Sequence, residues 1–589
     1  MAPVPPTASS DTGFRQTPPE LGNQYTNDAV FRSILKRLLP ADVHEKIEAD
    51  LVRLGDRVVG DLQAMGDNVD DPSHHPRLRQ YDAWCRRVDE ITVAQGWEQL
   101  NDVAAEEGLV AIAYERPVQE YSRIYQFAKQ YLYSPSTAVH SCPISMTDGA
   151  ARALEVSGTD AMKEKFLPHL LSRDPSKFWT SGQWMTERPG GSDVGRSETL
   201  AYPEADGTWT IRGFKWFSSA TTANMTMLLA RAVDPKTNSV IEGSKGLSLF
   251  IAEMRQPDGN LNGVRVHRLK NKFGTKGLPT AELELTGMKA QLVGKLGRGV
   301  PTIAAILNIT RVYAAMGVVS GQRRALAIAK DFAVKRDAFG QRLDKLPLHV
   351  KTLAQMELVF RANSQIAFYA AQLLGRTECL PDGPEKAADM AMLRLLTPVA
   401  KAYVCKTGVS AISEAMEALG GQGYMEEVGL GRHLRDSLVN TIWEGTTNVL
   451  ALDVLRVFKQ TNNKAFDIFE KTLMTKVANV SNDKLKIAVT RIRQALVNIR
   501  VFLSTTSDRT ALEASARDLT FAMGRVLAGA LLVEHAEWAL QNNEAEAEQD
   551  LATASRWCNL PEFTRPLDAF DPAVLTEDAK LVFGANAKL

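Results

Sequence analysis

The hydrophobic period of this chain changes twice, and that restricts it to a sheet set between helical domains. From Ala29 to about Arg173 apolar residues recur at three and four positions, as at Ile34, Leu38 and Leu39 or at Trp84, Val88 and Ile91. That is helical spacing. Between Phe178 and Val293 the period falls to two, in short runs such as Thr208–Arg212, Met225–Ala230, Leu247–Ile251, Val264–Arg268 and Ala281–Leu285. Turn signals (Asp206-Gly207, Asp258-Gly259-Asn260, Gly274, Gly287) separate the runs, which predicts an antiparallel β-domain. From Pro301 the helical period returns, with long segments to Gly340, over Leu348–Gly375 and over Pro384–Leu419. Pro301 suits a first helical turn.

A chain of 589 residues is too long for one core. The expected division is a disordered Pro/Ser/Thr-rich tail over 1–28, a helical domain over 29–177, the β-domain over 178–293, a helical bundle over 294–460 and a further helical domain over 461–589. The stretch Ser141-Cys142-Pro143-Ile144-Ser145-Met146-Thr147 reads as a turn feeding a helix. In the last domain Leu485, Val489, Ile492, Leu496, Ile499 and Leu503 form a packing stripe.

The formal net charge is zero, so no global field points to nucleic acid or an anionic membrane. No apolar run reaches the ~18 residues of a membrane span. The five cysteines are scattered without CxxC spacing, which argues for a reducing compartment and against structural zinc. His74-His75-Pro76 is read as a loop. The tail has neither the pattern of a signal peptide nor the arginines of a transit peptide. The C-terminal Ala587-Lys588-Leu589 matches the small–basic–leucine peroxisomal address.

Chemistry concentrates in a few motifs. Asn440-Thr441-Ile442-Trp443-Glu444-Gly445-Thr446-Thr447-Asn448 sets one carboxylate before a glycine at the start of an amphipathic run. Glu444 is either a general base made more basic by desolvation or a first-turn carboxylate favouring the helix dipole. Gln183-Trp184-Met185-Thr186-Glu187-Arg188-Pro189-Gly190-Gly191-Ser192-Asp193-Val194 places amides and hydroxyls in a tight loop, suited to a flat heteroaromatic ring and a phosphate. Lys215-Trp216-Phe217-Ser218 sets an aromatic face two residues from a hydroxyl on a strand; the plainer reading makes both aromatics β-core.

Met-Thr-Glu-x-x-x-Gly-Ser-Asp, Lys-Trp-Phe-Ser, Arg-x-x-Phe-Gly, Leu-Gly-Gly-x-Gly-Tyr and Trp-Glu-Gly-Thr follow one another in this order. With the helix–sheet–helix plan, the set resembles the FAD-dependent acyl-CoA dehydrogenases over roughly 110–457. The Cys142–Thr147 stretch and the extra C-terminal segment resemble that family's AidB-like, alkylation-response branch.

The resemblance implies FAD as cofactor, an acyl-CoA substrate and Glu444 as catalytic base. Thr186 would meet the flavin near N5, with the backbone of Trp184 and Met185 beside it. Gly191 and Ser192 would line the pyrophosphate and thioester mouth, and Ser192, Asn308 and Arg311 would face substrate. Trp216 and Ser218 would contact the ring, with Thr446 and Asn448 on the bundle side. Arg336 and Phe339, with Glu417, Gly420 and Gly421, would reach a neighbouring subunit's FAD, implying a homo-oligomer, a dimer or tetramer; alone, Arg336 reads as a helix-end cation.

Four positions depart from the family pattern. Glu417-Ala418 stands where Gln-Ile is usual, and Asn308 where many members have Asp. Thr310 occupies the place where some members carry their base, leaving Glu444 as the one candidate. Two other functions stay open. One is a nucleic-acid-associated flavoprotein using Lys486, Arg493 and Arg500, spaced by seven. The other is an oxidase of the same fold, which leaves the electron acceptor open between a flavoprotein and oxygen.

Overall fold

The computed structural model describes residues 7–587. Helices α1 (Ala29–Leu38), α2 (Ala41–Arg57) and α3 (Asp61–Asp70) lead into a hairpin of β1 (Arg77–Tyr81) and β2 (Arg87–Thr92). Then come α4 (Gln95–Glu106), α5 (Ile112–Glu115), α6 (Ser122–Tyr133), α7 (Ser141–Ser157) and α8 (Asp160–Leu170).

The β-domain comprises β3 (Ser181–Trp184), β4 (Leu200–Pro203), β5 (Trp209–Ser219), β6 (Met225–Asp234), β7 (Ser239–Val240), β8 (Leu247–Glu253), β9 (Val264–Leu269) and β10 (Thr280–Val293). The bundle has α9 (Gly299–Lys335), α10 (Pro347–Cys379), α11 (Pro384–Ala418), α12 (Leu430–Val439) and α13 (Thr447–Thr461), with a small ribbon, β11 (Asp337–Ala338) and β12 (Gln341–Arg342), after α9. The chain ends in α14 (Lys464–Lys476), α15 (Asp483–Thr505), α16 (Arg509–Gln541), α17 (Ala547–Cys558) and α18 (Pro572–Phe583).

The mainly helical plan with an inserted β-domain is as expected, with one refinement of the sheet. Strands run in the order β3-β6-β4-β5-β10-β8, and β8 pairs back onto β6, closing a barrel. Both β3 and β4 lie parallel to β6, sharing one of its edges end to end. These strands escaped the sequence pattern because each has only four residues, and β3 runs directly into the Met-Thr-Glu loop. On β6, Leu228 and Ala230 point into the barrel core while Met225, Met227 and Leu229 face α7, α8 and α9. An apolar run on both faces is the mark of a strand covered on both sides.

Three expectations are corrected. Trp84, Val88 and Ile91 are not on a helix. Asp82 Oδ1 accepts from the Trp84 and Arg86 amides, turning the chain into the β1–β2 hairpin with Trp84 exposed. Gln80 Nε2 donates to the Val266 and His267 carbonyls, so pairing to the barrel overrides local periodicity. Secondly, Ser141–Thr147 is already the first two turns of α7. Thirdly, the expected disordered tail is ordered at its end. Tyr25 is buried, Gln16 Nε2 donates to the Lys335 carbonyl and Glu20 N–H to Asp331. Lys588 and Leu589 of the tripeptide expected to be an address lie outside the described residues.

Leu485, Ile492, Leu496 and Ile499 of the stripe are buried, and α16 packs on α10, α11 and α13, so the C-terminal helices share the bundle's core. Helices α9 and α16 are long and apolar enough to cross a bilayer, but most of each apolar window is buried in the bundle, which accounts for its composition.

Candidate active site

A cavity of about 1110 Å³ lies where the barrel, α7, α9 and the turn before α13 meet. It brings together Met185, Thr186, Gly191, Ser192, Asn308, Arg311, Glu444 and Thr446, residues from three separate stretches of sequence.

Its β-domain wall is built on a buried ion pair. Glu187 Oε1 accepts from Lys215 Nζ at 2.7 Å, and both side chains are buried. Glu187 Oε2 also accepts from the Glu198 and Thr199 amides, and Lys215 donates to the Leu229 carbonyl. Burial works to raise the Glu187 carboxyl, but Lys215 and these donors hold it below its ordinary value. The pair ties the Met-Thr-Glu loop to the Lys-Trp-Phe strand, and the Trp216 amide donates to the Thr186 carbonyl at 3.0 Å. A side chain at Gly191 would stand 2.7 Å from Thr186 Oγ1, so only glycine lets the loop close over that hydroxyl.

The bundle wall carries Glu444 in a tight turn, with left-handed φ values of 57° at Glu444 and 102° at Gly445. A non-glycine residue held there costs about 1–3 kcal/mol and persists only where its surroundings fix it. Thr310 Oγ1 donates to Glu444 Oε2 at 2.7 Å. Arg311 Nε reaches the Glu444 carbonyl at 3.4 Å, and Lys401 Nζ donates to the Gly445 carbonyl at 2.5 Å. Burial lifts the Glu444 carboxyl above its ordinary range, against the pull of the Thr310 hydroxyl, Arg311 and Lys401.

Other sequence candidates are placed differently. The Trp184 side chain is buried in the barrel core, leaving only its backbone beside the site. Ser218 is buried behind the wall. Trp216 sits next to the cavity-lining Phe217, with the Lys270 ammonium 3.4 Å from its ring centroid. Asn448 does not line the cavity; it is exposed and accepts from Arg517 at 3.4 Å. Arg311 lines the cavity, yet its guanidinium pairs with Asp453 at 3.1 Å. Arg336, Phe339, Glu417, Gly420 and Gly421 lie away from the cavity. Phe339 is 95% exposed, and Glu417 is exposed with no ion-pair partner among the described residues.

Sequence reasoning missed Lys401, the Thr310–Glu444 contact, and Lys270 and Lys272 on the cavity wall. The signal for Lys401 was a cation, with Arg394 seven residues before it, inside the largely apolar stretch 390–405 of α11.

Against proteins of known identity, the chain is 43% identical to acyl-CoA dehydrogenase family member 11 of Caenorhabditis elegans, over 93% of this chain and 89% of that one. The chain belongs to the acyl-CoA dehydrogenase family. Family models match in order: the AidB N-terminal domain over 16–175, the acyl-CoA dehydrogenase middle domain over 182–288, its C-terminal domain over 297–458, and an acyl-CoA dehydrogenase 11 C-terminal domain over 464–583. The putative acyl-CoA dehydrogenase AidB of Escherichia coli is 32% identical over 65% of this chain and 69% of its own. The crystal structure of C. elegans ACDH-11 in complex with C11-CoA superposes with a TM-score of 0.93 at 40% identity, over 99% of this chain and 98% of that one.

The protein is therefore an acyl-CoA dehydrogenase with FAD as its cofactor. The site's polar set fits a flavin: Thr186 and Ser192 stand on the wall, and Gln183 Oε1 on the same wall is buried without a hydrogen-bond partner among the described residues. Buried polar atoms of that kind require a partner.

Proposed function

We propose that this protein dehydrogenates an acyl-CoA thioester between Cα and Cβ to the trans-2-enoyl-CoA, with Glu444 as the base. The observation that carries the reading is a cavity-facing carboxylate, made more basic by burial, on the wall opposite the Thr186–Ser192 loop.

Glu444 takes the α-proton on a carboxylate oxygen. Thr310 fixes the rotamer of that carboxylate from the other oxygen. Met185 and Thr186 would hold the flavin ring and Gly191 and Ser192 would line its pyrophosphate and the thioester mouth, while backbone donors beside them would stabilise the developing enolate oxygen. Bound FAD supplies the acceptor for the β-hydride. Leu307, Ala314 and Gly317 on α9 with Met146 and Val139 give the apolar length for the acyl chain. The nematode relative's structure holds C11-CoA, and a cavity of this size supports chains of similar length here.

Arg336, Phe339, Glu417, Gly420 and Gly421 lie on outer surface, which supports a homo-oligomer in which they complete a neighbour's FAD site. Ala587-Lys588-Leu589 supports peroxisomal import; a fluorescent fusion lacking the three should stay cytosolic, and puncta that persist would place the address elsewhere. The nucleic-acid reading gains no support, because Lys486 pairs with Asp483, and Arg500 with Asp467 and Glu470. An anaerobic panel of acyl-CoAs on the yellow holoprotein tests the proposal. Flavin bleaching is expected, and tight DNA binding without bleaching by any chain length would overturn it. Readmitting oxygen then separates a dehydrogenase from an oxidase.

A further inference from the structure

Helix α11 passes the site with its largely apolar stretch 390–405, yet Arg394, Thr397 and Lys401 in it are spaced three and four, on one face. Each meets a different part of the site. Arg394 donates to both Asp453 carboxylate oxygens, Thr397 to Asn308 Oδ1 at 3.3 Å, and Lys401 to the Gly445 carbonyl at 2.5 Å.

Lys401 is 0% exposed. Among the described residues it has no carboxylate ion-pair partner, and its hydrogen bond goes to a main-chain carbonyl. An ammonium buried in that way is costly to fold and marks a functional constraint.

The charged and titratable groups facing it come from three elements: Glu444 on the turn, Arg311 from α9, and Cys405 on α11 itself. Asp453 on α13 is already shared by Arg311, Arg394 and Arg456. The Glu444 carboxylate is thus left as the counter-charge of Lys401. Around Glu444 stand Thr310 and Arg311 from α9, Lys401 from α11 and Cys142 from α7. Arg311 and Lys401 grip the two successive carbonyls of a turn whose backbone is left-handed at both residues.

We propose that Lys401 is a positioning residue for the dehydrogenation: its ammonium locks the Glu444–Gly445 turn so that the carboxylate faces the cavity, and its charge keeps that carboxylate ionised. This rests on Glu444 being the base. A neutral residue at 401 leaves the turn held from one side and removes a cation that favours the charged form of Glu444.

The test is the pH dependence of anaerobic flavin reduction by saturating acyl-CoA, measured on FAD-loaded wild type, K401M, K401R and E444Q. For K401M the reduction rate should fall about 10–100-fold near neutrality, the effect of a small misplacement of a catalytic group. KM should change little, and the acid limb of the profile should move to higher pH. K401R keeps the charge and should return the limb toward wild type. A protonated-carboxyl infrared band absent from E444Q should titrate at higher pH in K401M, without turnover.

A K401M limb and band at the wild-type position, with E444Q inactive, would overturn the role of Lys401 and leave Glu444 as the base. E444Q at the wild-type rate would overturn both. Should K401M not fold, K401R is compared with K401Q, and coincident limbs in that pair would overturn the proposal.

Discussion

Thr310 Oγ1 and Glu444 Oε2 are 2.7 Å apart across 134 residues of sequence, so a hydroxyl of α9 fixes one oxygen of the carboxylate proposed as the base. A hydrogen bond to the charged form favours ionisation, so its removal makes the carboxyl harder to ionise. In Thr310→Val the acid limb of the bleaching profile should move to higher pH while FAD stays bound. An unmoved limb would show that the contact does not act on the base.

The Glu187–Lys215 pair predicts a stability effect with a flavin readout. Glu187→Gln leaves a buried ammonium without its counter-ion, which typically costs about 3–5 kcal/mol. Thermal unfolding should shift down and FAD should be released more readily, because the same carboxylate anchors the Thr186 loop. Lys215→Met in the Glu187→Gln background should recover part of the loss. An unchanged melting curve in the single variant would refute the anchor.

A second ion cluster, away from the site, sets acid stability. Asp50 and Glu107 receive Lys129 and Arg53, and Arg57 adds to Glu107. Against burial, these partners hold both carboxyls down to about 2, from ordinary values of 3.8 and 4.5. Depressed carboxyls give stability that is present above the ordinary value and lost as pH falls toward the folded one. Denaturant midpoints should therefore drop between about pH 4.5 and 2, and less steeply in Asp50→Asn/Glu107→Gln. Equal slopes would assign acid unfolding elsewhere.

Arg336→Ala tests the proposed sharing of a cofactor site between subunits. The assembly should remain an oligomer by light scattering but retain less FAD after gel filtration. A wild-type protein that is a monomer with full FAD would contradict it.

The sequence made the domain plan and the Glu444, Thr186 and Ser192 positions legible, because hydrophobic period and short ordered motifs are local properties. It did not reveal the β1–β2 hairpin, whose stability comes from docking on β9 some 180 residues away, as in the 186-residue separation of Gln80 and Val266. Nor did it place Asn448 outside the cavity, since one residue of helical rotation decides which face a side chain takes. The polar face of α11 was hidden for the converse reason. Lys401 is surrounded by apolar residues that pack the same helix into the core, and only the fold brings it to Gly445.

The most direct measurement is the anaerobic rate of flavin bleaching by acyl-CoA in Glu444→Gln. The substitution keeps shape and one hydrogen-bond acceptor but removes the base, and loss of general-base catalysis typically costs about 10²–10⁴-fold. The protein should stay yellow, because the flavin contacts proposed here come from Met185, Thr186, Gly191 and Ser192, while bleaching nearly vanishes; Glu444→Asp should fall between. Bleaching of Glu444→Gln at the wild-type rate would contradict Glu444 as the base, and with it the α-proton chemistry.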